Sequence, residues 1–429
     1  MVPMVLTMLV TSVYTIVDGF FISNYAGSDA FAGMNMIWPP MDIVCALGLM
    51  IGAGGSALVS KTFGEGDPQK ANRIFSMLLK MTVTVSAVLA AVLFVAMPAL
   101  AKGLGADENM LPHCVRYGRI IAVVLPACML QRTFTPFFMV AERPHFSTML
   151  SIACGVTNII LDILFVAVFG WGLVGAAIAT AASLLVGGGV PVWFFRSRRN
   201  RTQLRMVPCS FDWNAIARSC SNGMSEFVGS VSLSIVSICY NWQLMRYIGA
   251  DGVSAYGIMM YIGFIFAAVF IGYNMGISQI IAYNYGAGNR DELRSLLRKS
   301  LVIVGVCGIV LTAMAEIGMP LCGKLFVGYS ESLCSLTVHA GRIYMASFLI
   351  CGFNMFTSAW FTALNNGMVS AVAAFVRTLV FELAAVFVLP ALIGIEGIWM
   401  SVNVAEFLAL ALSAGLIAGF ARRYGYNRH

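Results

Sequence analysis

Long apolar runs alternate along the chain with short clusters of glycine, proline and charged residues. Leu301–Leu311 carries no charge, and Val369–Leu392 is interrupted only by Ser370, Arg377, Thr378, Glu382 and Pro390. A helix needs roughly 20 apolar residues to cross a bilayer. Runs of that length are predicted at 2–25, 30–60, 73–98, 114–140, 146–168, 172–195, 214–247, 253–284, 297–318, 336–362, 368–390 and 397–420. These are spans 1 to 12 below. The runs lack the strict apolar–polar alternation of a membrane barrel strand. The pattern therefore predicts an all-α membrane protein with twelve transmembrane helices.

Composition agrees. Apolar types make up 59% of the 429 residues and charged types 10%, far below the quarter or so that soluble domains carry. That excludes an ordinary soluble enzyme. The net charge of +7 could suggest nucleic acid, but its placement argues for a membrane. Eighteen of the 26 basic residues fall in loops on one side and six on the other, and Arg132 and Arg377 lie inside spans. By the positive-inside rule the richer side is cytoplasmic. Both termini then lie inside, in the cell membrane. The basic run Arg196–Arg205 fits anchoring at the membrane surface, with no nucleic-acid partner. The 11 cysteines sit mostly in apolar runs without ligand spacing and read as small apolar fillers. The first basic residue is Lys61, so a charged leader ahead of span 1 is not expected.

An internal repeat organises the chain. Tyr25, Gly27 and Asp29 recur as Tyr247, Gly249 and Asp251, at an offset of 222. The same offset relates Gly54, Ser56, Gly64, Gly66 and Asp67 to Gly276, Ser278, Gly286, Gly288 and Asn289. Phe134-Thr135 recurs as Phe356-Thr357, and Gly172 and Gly175 as Gly394 and Gly397. Gly118-Arg119-Ile120 recurs one residue later, as Gly341-Arg342-Ile343. Two six-helix lobes follow, 1–195 and 214–429, joined by a basic cytoplasmic linker at 196–213. Six spans is an even number, so both lobes have the same topology. A pseudo-two-fold axis along the membrane normal is expected, with a shared cavity between lobes, an architecture of transporters.

A charge at the centre of a span costs about 2.5–3.5 kcal/mol on insertion scales and needs a reason. The spans hold Asp18, Asp42, Asp162, Glu226, Glu316, Glu382 and Glu406. At ~1.5 Å per residue, Asp18 in span 1, Asp162 in span 5 and Thr180 in span 6 all lie about 12–13 Å from the outer edge. Asn158 is one turn from Asp162 and shares its helix face. Two carboxylates, a carboxamide and a hydroxyl in one layer suit a proton or a hard cation such as Na⁺, and two nearby carboxylates favour proton exchange near neutral pH. The alternative is helix bridging through hydrogen bonds. The repeat-related positions are Tyr240, Val380, Ala384 and Val402, so no acid recurs there and scaffolding by the duplicated fold does not account for the cluster.

The other acids carry less. Glu382 and Glu406 are at mid-depth with Arg377 close in sequence, which predicts an internal ion pair. Glu226 falls near the cytoplasmic end of span 7, where solvation is the alternative to a role in transport. Asp42 follows Trp38-Pro39-Pro40 and is expected to satisfy backbone freed by a kink. Glu316 is placed at the wetted outer end of span 9. No catalytic constellation is visible. His113, His145, His339 and His429 have no acid or cysteine at ligand spacing, and Gly64-Glu65-Gly66 and Gly286-Ala287-Gly288 lack the Lys-Ser/Thr of a phosphate loop. An enzyme is not expected.

Val17-Asp18-Gly19, Gly55-Ser56-Ala57-Leu58, Gly64-Glu65-Gly66-Asp67, Asn158-Ile159-Ile160-Leu161-Asp162, Gly175-Ala176-Ala177 and Tyr283-Asn284-Tyr285-Gly286-Ala287, in that order and spacing, resemble the multidrug and toxin extrusion (MATE) family over residues 2 to 420. The resemblance implies a two-lobe exporter, exchanging cations inward for small organic cations or drugs outward, with no cofactor beyond coupling H⁺ or Na⁺. It implies a cation-coupling set of Asp18, Asn158, Asp162 and Thr180, which would ligate the metal ion if that ion is Na⁺. Glu226, Arg377, Glu382 and Glu406 remain as polar or substrate residues of the second lobe. Some branches use an acid further along span 7 than Glu226. The opening Met1-Val2-Pro3 lacks the family's usual polar leader, so an upstream start is expected. A monomer is expected. The alternative function is a flippase for a lipid-linked saccharide, which shares the architecture but should line its cavity with cations for pyrophosphate.

Overall fold

The computed structural model describes residues 2–12, 28–104, 111–197, 200–327 and 331–426. Among them are α1 (Val2–Ser12) and α2 (Ser28–Gly64), then α3 (Pro68–Gly103), α4 (Leu111–Val123), α5 (Leu125–Val140), α6 (Pro144–Asp162) and α7 (Gly172–Arg196). After a coil come α8 (Trp213–Tyr247), α9 (Ala250–Gly286), α10 (Arg290–Val327), α11 (Glu331–Met345), α12 (Phe348–Ala363), α13 (Gly367–Phe375), α14 (Glu382–Ile393) and α15 (Ile395–Tyr424). Among the described residues nine helices are long and apolar enough to span, and two bent pairs raise this to eleven. The short apolar α1 begins the twelfth, predicted at 2–25. The fold is all-helical, with twelve spans in two lobes.

Two predicted spans are not single helices. Span 4 breaks at Val124 into α4 and α5, bent by 55°, and span 10 breaks at Ala346-Ser347 into α11 and α12, bent by 45°. Val124 and Ala346 are 222 residues apart, so the break belongs to the duplicated unit. Pro126 in the first turn of α5 lacks the N–H for a continuous ladder. The second break has no proline.

The duplication is equally visible in the turns. Gly66 (φ +83°) and Gly288 (φ +70°), repeat mates, close the α2–α3 and α9–α10 connections in the left-handed region, where a Cβ is disfavoured. Asp67 then caps α3 by accepting from the Lys70 N–H at 3.0 Å, with Pro68 in the first turn. Two π-helical turns have no such symmetry. One, Ile163–Val168, follows α6 directly, and the other, Val376–Phe381, joins α13 to α14. A π turn is rare and is frequently found at functional sites.

Lipid tails are as apolar as leucine, so packing and hydrogen bonds, rather than escape from water, hold helices together in a bilayer. The first lobe closes at its basic end over a phenylalanine cluster. Phe75 meets Phe137 at 4.9 Å and Phe195 at 5.1 Å between ring centroids. Leu204 of the linker is fully buried in the same core. The linker is thus a strap laid along α3. Arg205 N–H donates to Asn72 Oδ1 at 2.6 Å, Val207 N–H to Ser76 Oγ at 2.8 Å, and Lys80 Nζ to the Cys209 carbonyl at 3.3 Å. The second lobe packs around Tyr240, Phe356, Trp360 and Trp399, all fully buried.

Candidate functional site

Asn158 and Asp162 lie one turn apart on α6 and are buried, Asp162 completely. The helix changes to a π turn at the next residue, Ile163. α7 runs antiparallel against it. A Cβ on Gly175 would stand 3.0 Å from the Phe165 carbonyl carbon, which sets the register between the two helices. In that register Thr180 is level with Ile160, between Asn158 and Asp162. Asn158 Oδ1 and Thr180 Oγ1 are buried with no hydrogen-bond partner among the described residues. Buried oxygens held this way cost free energy unless something fills the coordination they leave open. Asn158, Asp162 and Thr180, three of the four predicted coupling residues, lie on these two packed helices. The fourth, Asp18, lies outside the described residues. Among the described residues no three His, Cys, Asp or Glu side chains form a metal-binding group.

The second lobe differs at the same depth. Tyr240, the repeat mate of Asp18, is fully buried and stacks on Tyr256 with centroids 5.0 Å apart. The charge sits elsewhere. Arg377, inside the second π turn, gives its Nε to Glu406 Oε1 at 2.9 Å and its Nη2 to the same oxygen at 2.6 Å. Asn354 of α12 donates to Glu406 Oε2 at 2.7 Å and accepts from Ser413 Oγ at 2.8 Å. Of the two acids expected near Arg377, Glu406 is the partner. Glu382, on the turn after the π segment, is buried within electrostatic range of Arg377, Glu406 and the hydroxyls of Tyr240, Tyr256 and Tyr344.

Of the other acids, Asp42 departs from expectation, while Glu316 is exposed as expected. Asp42 does not serve freed backbone: α2 runs through Pro39-Pro40 as helix, and Asp42 Oδ1 accepts from Arg132 Nη2 of α5 at 2.5 Å. One turn along each helix, Cys45 and Cys128 bring their sulfurs to 2.7 Å, tying α2 to α5. Glu316 pairs with Arg342 at 3.5 Å, both half in the open. His339, isolated in sequence, meets Glu396 at 2.9 Å. Glu226 is half-buried on α8, one turn beyond Asn222 and Gly223.

Those two residues belong to the seam between lobes. A Cβ on Gly54 would stand 2.0 Å from the Ser219 carbonyl, and one on Gly223 1.9 Å from that of Met50. Ser60 Oγ donates to Gln279 Oε1 at 3.0 Å, and Gln279 Nε2 to Ser56 Oγ at 2.9 Å. Asn222 Nδ2 reaches the Gly54 carbonyl at 3.4 Å, and Lys61 lies over the Tyr285 ring at 5.3 Å. Each of these contacts joins the basic-side halves of α2, α8 and α9.

The MatE family model matches residues 3–164 and again residues 227–388, one copy in each lobe. The chain belongs to the MatE family. It is similar to the multidrug export protein MepA of Staphylococcus aureus, with 23% identity over 421 residues, 98% of this chain and 92% of that protein. A solved structure described as an outward-facing conformation of a multidrug resistance MATE family transporter of the MOP superfamily superposes with a TM-score of 0.93 at 19% identity, over 99% of this chain and 95% of the other. A MOP superfamily transporter from Pyrococcus furiosus, described as having a binding pocket of reverse polarity that suggests a different function, superposes with a TM-score of 0.92 at 20% identity, over 100% and 95% of the two chains.

Sequence reasoning missed the Asp42–Arg132 pair and the part played by Asn354. One signal connects them: Arg132 and Asn354 are 222 residues apart. The same position in each lobe donates to a carboxylate, Asp42 in one case and Glu406 in the other.

Proposed function

We propose that the chain is a secondary active antiporter of the cell membrane that exports amphipathic, mainly cationic organic compounds, drugs among them, in exchange for H⁺ or Na⁺. It moves its cargo without chemistry on it, requires no cofactor beyond the coupling ion and works as a monomer. The observation that carries this reading is the buried oxygen layer of Asn158, Asp162 and Thr180 in a chain that matches the MatE model twice. Similarity to a multidrug export protein along 98% of the chain supports the class of cargo. In this reading Asp18 joins the layer and the four residues hold the coupling ion, as a hydronium-equivalent proton on carboxylate oxygen or as Na⁺ among hard oxygen ligands.

The lobes 1–195 and 214–429 alternate access, with both termini and the 196–213 strap on the cytoplasmic side. The seam at Ser56, Ser60 and Gln279 is then the closed cytoplasmic gate. Arg377 is committed to Glu406 and Arg132 to Asp42, and this weighs against a flippase, which would need free cations for pyrophosphate. The test is ethidium efflux from proteoliposomes under an imposed inward H⁺ or Na⁺ gradient. Efflux should follow one of the two gradients and stop when an ionophore collapses it. Efflux indifferent to both gradients would overturn the coupling.

A further inference from the structure

The broken span 4 leaves a groove of about 510 Å³ against α7. Val123, Pro126 and Leu130 form one side of it, and Leu185, Trp193 and Arg196 the other. Leu185 and Trp193 are 57% and 67% exposed, so the groove opens away from the protein. Three consecutive glycines of α7 shape it. A Cβ on Gly187 would stand 2.5 Å from Gln131 Cδ, and one on Gly188 2.5 Å from the Ala127 carbonyl oxygen. Those two let α7 approach α5. A Cβ on Gly189 would meet nothing within 4 Å among the described residues. The third glycine therefore serves no close contact within the lobe and instead floors the groove.

The direction of the groove follows from helix geometry. Gly189 is nine residues beyond Thr180, two and a half turns at ~3.6 residues each, so the two lie on opposite faces of α7. The Thr180 hydroxyl is buried inside the lobe, so the groove faces outward, into the hydrocarbon of the bilayer. Leu185 and Arg196 are 11 residues apart, ~16 Å along a helix axis, and half of the hydrocarbon core is about 15 Å thick. The groove thus runs from mid-membrane to the surface on the basic side, the depth of one leaflet. There it ends in an indole and a guanidinium, side chains that settle at headgroup level. Arg196 is exposed and has no ion pair among the described residues. Arg198, Arg199 and Arg201 follow it in the chain, and such basic clusters at a membrane surface attract anionic lipid.

The second lobe is an internal control. At the offset of 222, Gly189, Trp193 and Arg196 become Ala411, Gly415 and Ala418. Neither the cation nor the indole recurs, so the duplicated fold does not require them.

We propose that this groove is a binding site for one anionic phospholipid of the leaflet on the basic side. One acyl chain lies along α7 over Gly189, and Arg196 takes the phosphate through charge-assisted hydrogen bonds. A helix of a second copy could also fill an apolar groove, but the guanidinium at its end selects a phosphate. The lipid is a resident ligand on the outer face of one lobe, apart from the cleft and from any cargo, and the inference does not rest on the export function.

The test is native mass spectrometry of the purified protein, stripped of lipid and titrated with phosphatidylglycerol or with phosphatidylcholine of the same acyl chains. The wild type should hold one phosphatidylglycerol at collision energies that remove all phosphatidylcholine. Gly189→Phe fills the groove and should lose that lipid, with its fold checked by thermal melting. Arg196→Gln keeps the groove and should lose the preference, holding the two lipids alike. Ala411→Phe, the same change at the repeat mate, should bind as the wild type does. The proposal fails if Gly189→Phe holds phosphatidylglycerol at the wild-type level, if Arg196→Gln keeps the full preference, if Ala411→Phe loses the lipid equally, or if the wild type holds none. A wild-type dimer that Gly189→Phe dissociates would give the groove to a second copy of the chain and also overturn the lipid site. Should Gly189→Phe not fold, Arg196→Gln alone decides.

Discussion

Gly64 and Gly286 hold the same place in the two lobes and close on each other's helices. A Cβ on Gly64 would stand 2.1 Å from the Tyr283 carbonyl oxygen, and a Cβ on Gly286 2.0 Å from that of Lys61. Tyr283 and Lys61 are themselves 222 residues apart, so the contact is reciprocal and the pseudo-two-fold axis passes between the two glycines. The backbones of α2 and α9 can meet here only because neither residue has a side chain.

Gly64→Ala or Gly286→Ala should therefore wedge this seam open. Overpacking of this kind costs about 1–3 kcal/mol, and the cost falls only on the state in which the seam is closed. The protein should still reach the membrane. A cysteine placed at Ser60 should react several-fold faster with a membrane-impermeant maleimide applied from the basic side. Labelling at the wild-type rate, with normal ethidium efflux, would show that the close approach does not hold the gate.

The converse experiment locks it. Ser60 Oγ and Gln279 Oε1 are 3.0 Å apart across the lobes. Cysteines at both positions, in a background with the native cysteines replaced, should crosslink on oxidation and abolish efflux, with recovery on reduction. Efflux that continues at the uncrosslinked rate after complete crosslinking would exclude movement of one lobe against the other.

Much of this arrangement is legible in the chain. The 222-residue offset follows from glycines whose roles are local, such as the left-handed turns at Gly66 and Gly288, and local requirements leave a sequence mark. Depth along a helix is also arithmetic, so Asn158, Asp162 and Thr180 fall in one layer without any structure. The breaks in spans 4 and 10 are less readable. A proline in a first turn, as at Pro126, is compatible with a fresh helix as well as with a kink, and Ala346-Ser347 carries no breaking signal at all. The π turns at 163–168 and 376–381 depend on how neighbouring helices pack. Long-range pairing is the least legible. Asp42 and Arg132 are 90 residues apart, and the choice of Glu406 over Glu382 by Arg377 depends on Asn354 arriving from α12.

Arg377 should be structural. Removing one member of a buried ion pair leaves the other unpaired and typically costs about 3–5 kcal/mol, whereas replacing both by apolar groups can be neutral. Arg377→Ala should lose most of its folded yield in detergent size-exclusion chromatography. Arg377→Met/Glu406→Leu should regain a good part of it, although Asn354 then loses its acceptor. A well-folded Arg377→Ala protein that no longer exports ethidium would make Arg377 a cargo residue instead.

Coupling should reside in the first lobe. Asp162 is fully buried, Asn158 is one turn away, and Thr180 lies on α7, which packs against their helix, while the second lobe has Tyr240, Val380, Ala384 and Val402 at the matching positions. Cargo and coupling ion need not share atoms. They need only favour opposite states of the same two-state molecule, which is linkage. Asp162→Asn keeps the size and much of the hydrogen-bonding capacity of the side chain and removes its charge, so the protein should fold and reach the membrane. Gradient-driven ethidium efflux should fall to background, while ethidium binding to the purified protein persists or weakens modestly. Asp18→Asn should behave alike, and the double variant should be little worse than either, because two groups that share one ion act as a unit. Thr180→Val, which removes a neutral ligand only, should slow efflux without abolishing it. Measurement at matched expression, under H⁺ and Na⁺ gradients separately, decides the point. Efflux near the wild-type rate in Asp162→Asn would move the coupling site to the second lobe, where Glu226, half-buried beside the seam, and the buried Glu382 are the carboxylates within the spans that have no ion pair among the described residues.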